Sequence, residues 1–166
     1  MTERLTHLDE QGRARMVDVG EKPITRRECV ARGFVRTSRE TLDRIVEGHV
    51  AKGDVLATAR IAGIQAAKRT HEWIPLAHPI AIDSVEVVLA PEGERAERVG
   101  LGIEARVVAH WRTGVEMEAL VAVSAAGLTV YDMCKAIDRA MTVEGVQLVR
   151  KSGGRSGAWE RADESG

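Results

Sequence analysis

Within the seven residues Lys151-Ser152-Gly153-Gly154-Arg155-Ser156-Gly157 stand two cations, two hydroxyls and three glycines. Glycines let backbone N–H groups turn toward an anion, and Lys and Arg add charge, so this is a workable recipe for holding a phosphate. The same phrase also reads simply as a disordered basic tail. The chemical reading gains weight from three other polar clusters, at Lys52-Gly53-Asp54, Leu76-Ala77-His78-Pro79 and Thr113-Gly114-Val115-Glu116-Met117-Glu118.

Lys52 stands just before a helical tract that Asp54 can cap. Locally this is a helix–helix turn with a solvated lysine. Its functional reading sets a cation beside free helix N-terminal N–H groups, where a phosphate is received. Crowding by Lys135 and Lys151 would also lower its pKa and suit it to proton transfer. Pro79 biases His78 toward an extended backbone, and a histidine so held can bind an anion or move a proton near neutrality. His71 and His78 lack zinc-binding spacing. Glu116 is accounted for by a capping box with Thr113, whereas Glu118 is not. Two residues apart on a helix, these carboxylates point in different directions and share one pocket only if two surfaces meet there.

Asp132 and Lys135 are helical neighbours amid residues that look buried, where a charge pair needs a reason. A surface ion pair is the plain alternative. From Glu118 to Lys135 a helix rises about 25 Å, too far for one compact pocket. If both ends function, a second subunit must bring one end to the other, and Lys52 and Lys135 are then candidates to enter one pocket from different chains.

The elements that would position these groups follow from periodicity. Residues 1–27 are mixed and polar and read as an arm. Residues 31–37 suit a short strand, and Ser38 caps a helix that runs toward Val50. A second helix spans about 54–73, with Val55, Ala59, Ala62, Ala66 and Ala67 as a small-residue face, before Pro75 and Pro79 stop it. Residues 80–89 and 99–111 alternate as an antiparallel hairpin around the turn Pro91-Glu92-Gly93-Glu94. A long apolar helix covers about 114–140, and Val143 to Val149 closes the sheet. Strand, helix, helix, strand, strand, helix, strand is an α+β, ferredoxin-like order with an antiparallel four-stranded sheet and helices packed on one face. One catalytic domain at 28–157 and a polar tail at 158–166 complete the division. The exposed sheet face and the apolar last helix ask for an oligomer.

The chain has 166 residues and a net charge of −1, which gives no global reason to bind nucleic acid or an anionic membrane. Two isolated cysteines suggest neither a disulfide framework nor a metal cage. The acidic N-terminus lacks an apolar leader, and no run looks like a membrane span, so a cytoplasmic chain is expected. Five aromatic residues (one Phe, one Tyr, three Trp) are few for stacking on successive bases.

Taken together and in order, these phrases resemble the cyclic pyranopterin monophosphate synthase family, which serves the first stage of molybdenum cofactor biosynthesis. The resemblance runs from about Leu5 to Gly157. It rests on Met16-Val17-Asp18-Val19, Lys52-Gly53-Asp54-Val55, the tract from Thr58 to Lys68, Ile74-Pro75-Leu76, His78-Pro79, Thr113-Gly114-Val115-Glu116-Met117-Glu118-Ala119, Tyr131-Asp132-Met133-Cys134-Lys135-Ala136 and Lys151-Ser152-Gly153-Gly154. It implies a homohexamer built as a trimer of dimers, with sites at the dimer contact. The implied substrate is a cyclised dihydroguanosine triphosphate supplied by a radical GTP cyclase, and the implied products are cyclic pyranopterin monophosphate and pyrophosphate. It implies Lys52, Asp132 and Lys135 as catalytic, and Arg27, His78, Glu116, Glu118 and Lys151 as substrate-binding. No tightly bound cofactor is expected, and Mg2+ can accompany the triphosphate on the carboxylates at 116 and 118. The family often has cysteine where this chain has Ala77. The competing expectations are a non-catalytic nucleotide-binding regulatory module and a purely structural oligomer.

Overall fold

The computed structural model describes residues 11–93 and 98–162. The elements are β1 (Thr25–Arg36), α1 (Arg39–Val46), α2 (Val55–Lys68), α3 (Thr70–Trp73), β2 (Ser84–Glu92), β3 (Gly100–Trp111), α4 (Glu116–Cys134), β4 (Thr142–Ser152) and β5 (Trp159–Glu160). The strands form one antiparallel sheet in the order β2-β3-β1-β4-β5. The four long strands keep the expected ferredoxin-like arrangement. The correction is the fifth strand: Trp159 and Glu160 pair with Lys151 and Arg150, so the sheet is not four-stranded. The glycine-rich phrase is therefore the turn of a hairpin between β4 and β5. The expected turn at Pro91 to Glu94 ends outside the described residues, as do the first ten residues of the arm and the last four of the tail.

Strand β1 lies between β3 and β4, and Cys29, Val30, Ala31, Phe34 and Val35 are all buried. Only the second half of β1 was evident as a strand, because it begins with Thr25-Arg26-Arg27-Glu28, which is polar and reads as the end of the arm. Helix α1 starts where Ser38 accepts a hydrogen bond from the Thr41 backbone N–H, and α2 starts where Asp54 does the same for Ala57. Each such cap is worth about 1 kcal/mol. The tract expected as one helix over 54–73 breaks at Arg69, whose backbone leaves the helical region, giving α2 and the single turn α3.

Helix α4 packs across β1, β3 and β4 and against α2. The small-residue face of α2 is Val55, Ala59, Gly63, Ala66 and Ala67, with Gly63 taking the place expected of Ala62. A side chain at Gly63 would meet the Ala122 carbonyl at 2.9 Å, so the two helices touch almost backbone to backbone there. By length and composition α4 could cross a membrane, against the expectation that no run would, but it is the central core helix of the layer.

Candidate active site at the two ends of α4

At the C-terminal end of α4, three of the expected residues meet. Lys135 Nζ lies 2.7 Å from Asp132 Oδ1, and Lys52 Nζ lies 2.8 Å from Asp132 Oδ2. Lys52 also donates to the Asp132 backbone carbonyl at 2.7 Å. That carbonyl is among the last four of α4, which have no acceptor role left inside the helix, so the lysine caps the negative end of the helix dipole. All three side chains are about half in water, at 47%, 58% and 52% exposure for Lys52, Asp132 and Lys135. Lys135 and then Lys52 hold the Asp132 carboxyl down at about 2. Asp132 in turn raises the pKa of Lys135. The trio is thus a fixed arrangement of charges with Lys135 firmly protonated, a donor of a proton or a hydrogen bond. The expected crowding of Lys52 by Lys135 and Lys151 does not occur, because Asp132 stands between the first two and Lys151 pairs elsewhere. Lys52 and Lys135 also meet within one chain, so these two are not divided between subunits.

At the N-terminal end of α4, a cavity of about 240 Å³ is lined by Val17, Val19, Lys22, Ala77, His78, Glu116 and Glu118, among others. Its walls come from the arm, the segment after α3 and the first turn of α4. His78 Nε2 lies 2.8 Å from the Val17 carbonyl, a distance that needs the ring to donate. Glu116 and Glu118 both line this cavity, although their spacing sends them in different directions. The helix end is itself a wall, so both the outward and the inward carboxylate reach the same space. The capping box does not form: the residue before the helix is Val115 and no side chain caps it. Glu116 instead accepts from Lys151 Nζ at 2.9 Å, which joins β4 to α4.

Glu118 is 3% exposed. Burial pushes its carboxyl up to about 7, its own backbone N–H opposes the rise, and Glu116 adds to it. A carboxyl balanced between its two forms at neutral pH suits proton exchange. Arg27 faces the same end. Its Nε and one terminal nitrogen donate to the Trp111 and Arg112 carbonyls, both at 3.3 Å. Sequence reasoning missed Lys22, which lines the cavity and has no ion pair among the described residues. The signal was its place three residues after the Met16-Val17-Asp18-Val19 phrase, in an arm that Arg112 fastens by donating to the Gly20 carbonyl at 2.5 Å. Among the described residues no group of three or more His, Cys, Asp or Glu gathers as a metal site.

The two clusters lie at opposite ends of a helix from Glu116 to Cys134. Glu118, Val121, Ala125, Leu128, Asp132 and Lys135 are spaced alternately three and four apart, so they form a single stripe along α4. Leu128, at the middle of that stripe, is exposed. It borders a shallow cleft of about 290 Å³ with Ala62, Ala66, Trp73, Ala125 and Thr129.

Residues 16–154 match the MoaC family. Over 160 residues the chain is 59% identical to the cyclic pyranopterin monophosphate synthase of Thermomicrobium roseum, covering 96% of this chain and 95% of the relative. It is 60% identical over 159 residues to cyclic pyranopterin monophosphate synthase 3 of Mycobacterium tuberculosis, with 96% and 88% covered. The corresponding enzyme of Pelotomaculum thermopropionicum is 56% identical over 160 residues, with 96% and 92% covered.

Proposed function

The chain belongs to the MoaC family, and from that membership we infer that it catalyses the cyclic pyranopterin monophosphate synthase reaction. It is a lyase of molybdenum cofactor biosynthesis. Its substrate is a cyclised dihydroguanosine triphosphate from a radical GTP cyclase acting upstream, and it releases pyrophosphate as the cyclic monophosphate forms. The observation that carries this reading is the pair of acids on α4. Asp132 is held ionised at about 2 and Glu118 is poised at about 7. A site with acids tuned so far apart has separate acid and base parts, which a module that only binds nucleotides does not need.

The residues divide the work by their contacts. Lys135 and Lys52 present protons and positive charge, and Asp132 orients both lysines. Lys151, His78 and Lys22 offer cationic or donating groups to the triphosphate. Glu118, and Glu116 once Lys151 turns to phosphate, accept from base-edge N–H groups or receive a Mg2+ that arrives with the substrate. Opening and reclosing the ring system requires proton movement at more than one atom, so both clusters must reach the same substrate.

About 25 Å of helix separates them, and a second copy of this chain closes that distance. A two-fold axis through the middle of the α4 stripe, near Leu128, sets each subunit's Lys135 end beside the other's Glu118 end. At the middle of the stripe Leu128 is exposed, and so is Trp73 across the shallow cleft, while Val121 and Ala125 are already buried against Ala66, so a partner seats on Leu128 and Trp73. A dimer of this kind, repeated three times, gives the trimer of dimers. Leu128→Asp should therefore leave the subunit folded but separate the assembly in sedimentation and abolish turnover. A still-assembled, active variant would move the contact elsewhere. The reaction itself is tested by supplying the cyclised triphosphate precursor and following pyrophosphate. Binding without release would make the protein a nucleotide-binding module.

A further inference from the structure

The three glycines of the β4–β5 turn all have positive φ, yet their surroundings differ. A side chain at Gly157 would meet nothing within 4 Å. One at Gly153 would run into the Arg26 backbone carbonyl, which cannot move without moving β1. One at Gly154 would run into the Arg27 guanidinium. That guanidinium is not loose, because the Trp111 and Arg112 carbonyls at the end of β3 hold it. Those carbonyls immediately precede Thr113-Gly114, the turn into the helix that carries Glu116. Arg27 therefore sits between the turn beyond Lys151 and the turn ahead of Glu116. Lys151 and Glu116 make the other link between the same two turns, at 2.9 Å.

We propose that Arg27 is a positioning residue: its guanidinium fills the side-chain space of Gly154 and fixes the Gly153–Gly157 turn against the β3–α4 turn. This rests on the reading of Lys151 as a phosphate-binding group. When Lys151 turns from Glu116 to a phosphate, the link between β4 and α4 is lost. The Arg27 contact then keeps the hairpin in place, so that the phosphate meets a lysine already located. Two of Arg27's nitrogens donate to fixed carbonyls, and they mark the group as a strut rather than a ligand of the substrate.

Gly48 supplies the control, because its φ of 74° equals that of Gly154 while its side-chain space is open. Gly48→Ala and Gly154→Ala thus carry the same backbone strain, and only the second displaces Arg27. With the cyclised precursor, Gly154→Ala and Arg27→Ala should each raise KM about tenfold with kcat within about threefold of the parent, and Arg27→Lys should recover part of the loss. The double variant should also be about tenfold impaired rather than about a hundredfold, because both changes remove one contact. Trypsin should cut after Arg155 about tenfold faster in both single variants than in Gly48→Ala, a readout that needs no turnover. The proposal is overturned if Gly154→Ala matches Gly48→Ala in KM and cleavage, if the two losses multiply, or if Arg27→Ala lowers kcat at unchanged KM. An unaltered protein that releases no pyrophosphate, yet whose Arg27 and Gly154 variants are cut faster, would defeat the assigned reaction and leave the strut standing.

Discussion

At one end of α4 an aspartate stands half in water between two lysines, and at the other a glutamate is almost wholly enclosed behind a cavity wall. The first is held near 2 by opposite charge, and the second is lifted to about 7 mainly by loss of water. Same chemical group, same helix, opposite treatment: neighbours decide the first and enclosure the second. The difference teaches which carboxyl can exchange protons with a substrate near neutrality and which can only hold Lys135 protonated, ready to donate. It also separates two kinds of robustness. The exposed trio is screened by salt and keeps its geometry through three short contacts, while the enclosed acid depends on the walls around it.

The sharpest way to break the comparison is at the exposed end. Lys135→Ala should lower turnover by about 10²–10⁴-fold, the usual worth of a proton-transfer group, while substrate affinity suffers less. Single-turnover kinetics would separate the two. Near-normal turnover would leave the trio as a helix cap and nothing more. Next comes the joining of the two ends. Slow Lys135→Ala subunits mixed with slow Lys151→Ala subunits should recover up to about one quarter of parental activity, since half of randomly formed dimers are mixed and each of these holds one intact site of two. Mixing Lys52→Ala with Lys135→Ala should recover none, because both residues belong to the same end. Recovery in the second mixture but not the first would reverse the assignment.

A smaller effect lies in the response of stability to pH. Glu118 has a folded pKa above its unfolded value of 4.5, so the folded state holds the extra proton between about 4.5 and about 7. Stability should therefore be greatest below that window and fall as pH rises through it. Glu118→Gln should flatten this slope in denaturant titrations and stabilise the chain at pH 8 by about 3 kcal/mol. Asp132 has the opposite sign. Its folded pKa lies below its unfolded 3.8, so its contribution is present above 3.8 and disappears as pH falls through about 2. A Glu118→Gln variant that kept the parent's slope between pH 4.5 and 7 would show that the glutamate is not enclosed in solution.

Much of this was legible along the chain. The helix caps at Ser38 and Asp54, the β2–β3 hairpin and the apolar sweep of α4 are local patterns, and local chemistry produces them. The pairing of Asp132 with Lys135 was legible for the same reason, being one turn of helix. Lys52 was grouped with Lys135 from the start but assigned to a different chain, because only tertiary packing shows that the α1–α2 turn reaches the end of its own α4. The capping box at Thr113 failed in an instructive way: its local rule competed with a lysine 35 residues further on, and the ion pair with Lys151 took the glutamate. Strand β5 escaped notice because two residues carry no periodicity at all. Lys22 was hidden by its setting in a polar arm, where a lysine is ordinary until the arm is seen to wall a cavity.

One replacement in that wall also governs what the protein can survive. Ala77 lines the cavity at the position where the resembled family often has cysteine. Nearby Cys29 is buried, and its thiol is pushed up to about 12, first by burial and then by Glu116. At neutral pH only about one such thiol in 10⁵ is a thiolate, the form that alkylating agents and peroxides attack. Cys134 is likewise buried, with its pKa raised. The cavity thus has thiols behind its wall and none among its lining residues, where Met117 supplies a thioether. Thiol-directed poisons that would attack a cysteine in that wall should find no thiol there to modify, and peroxide should act on Met117 instead.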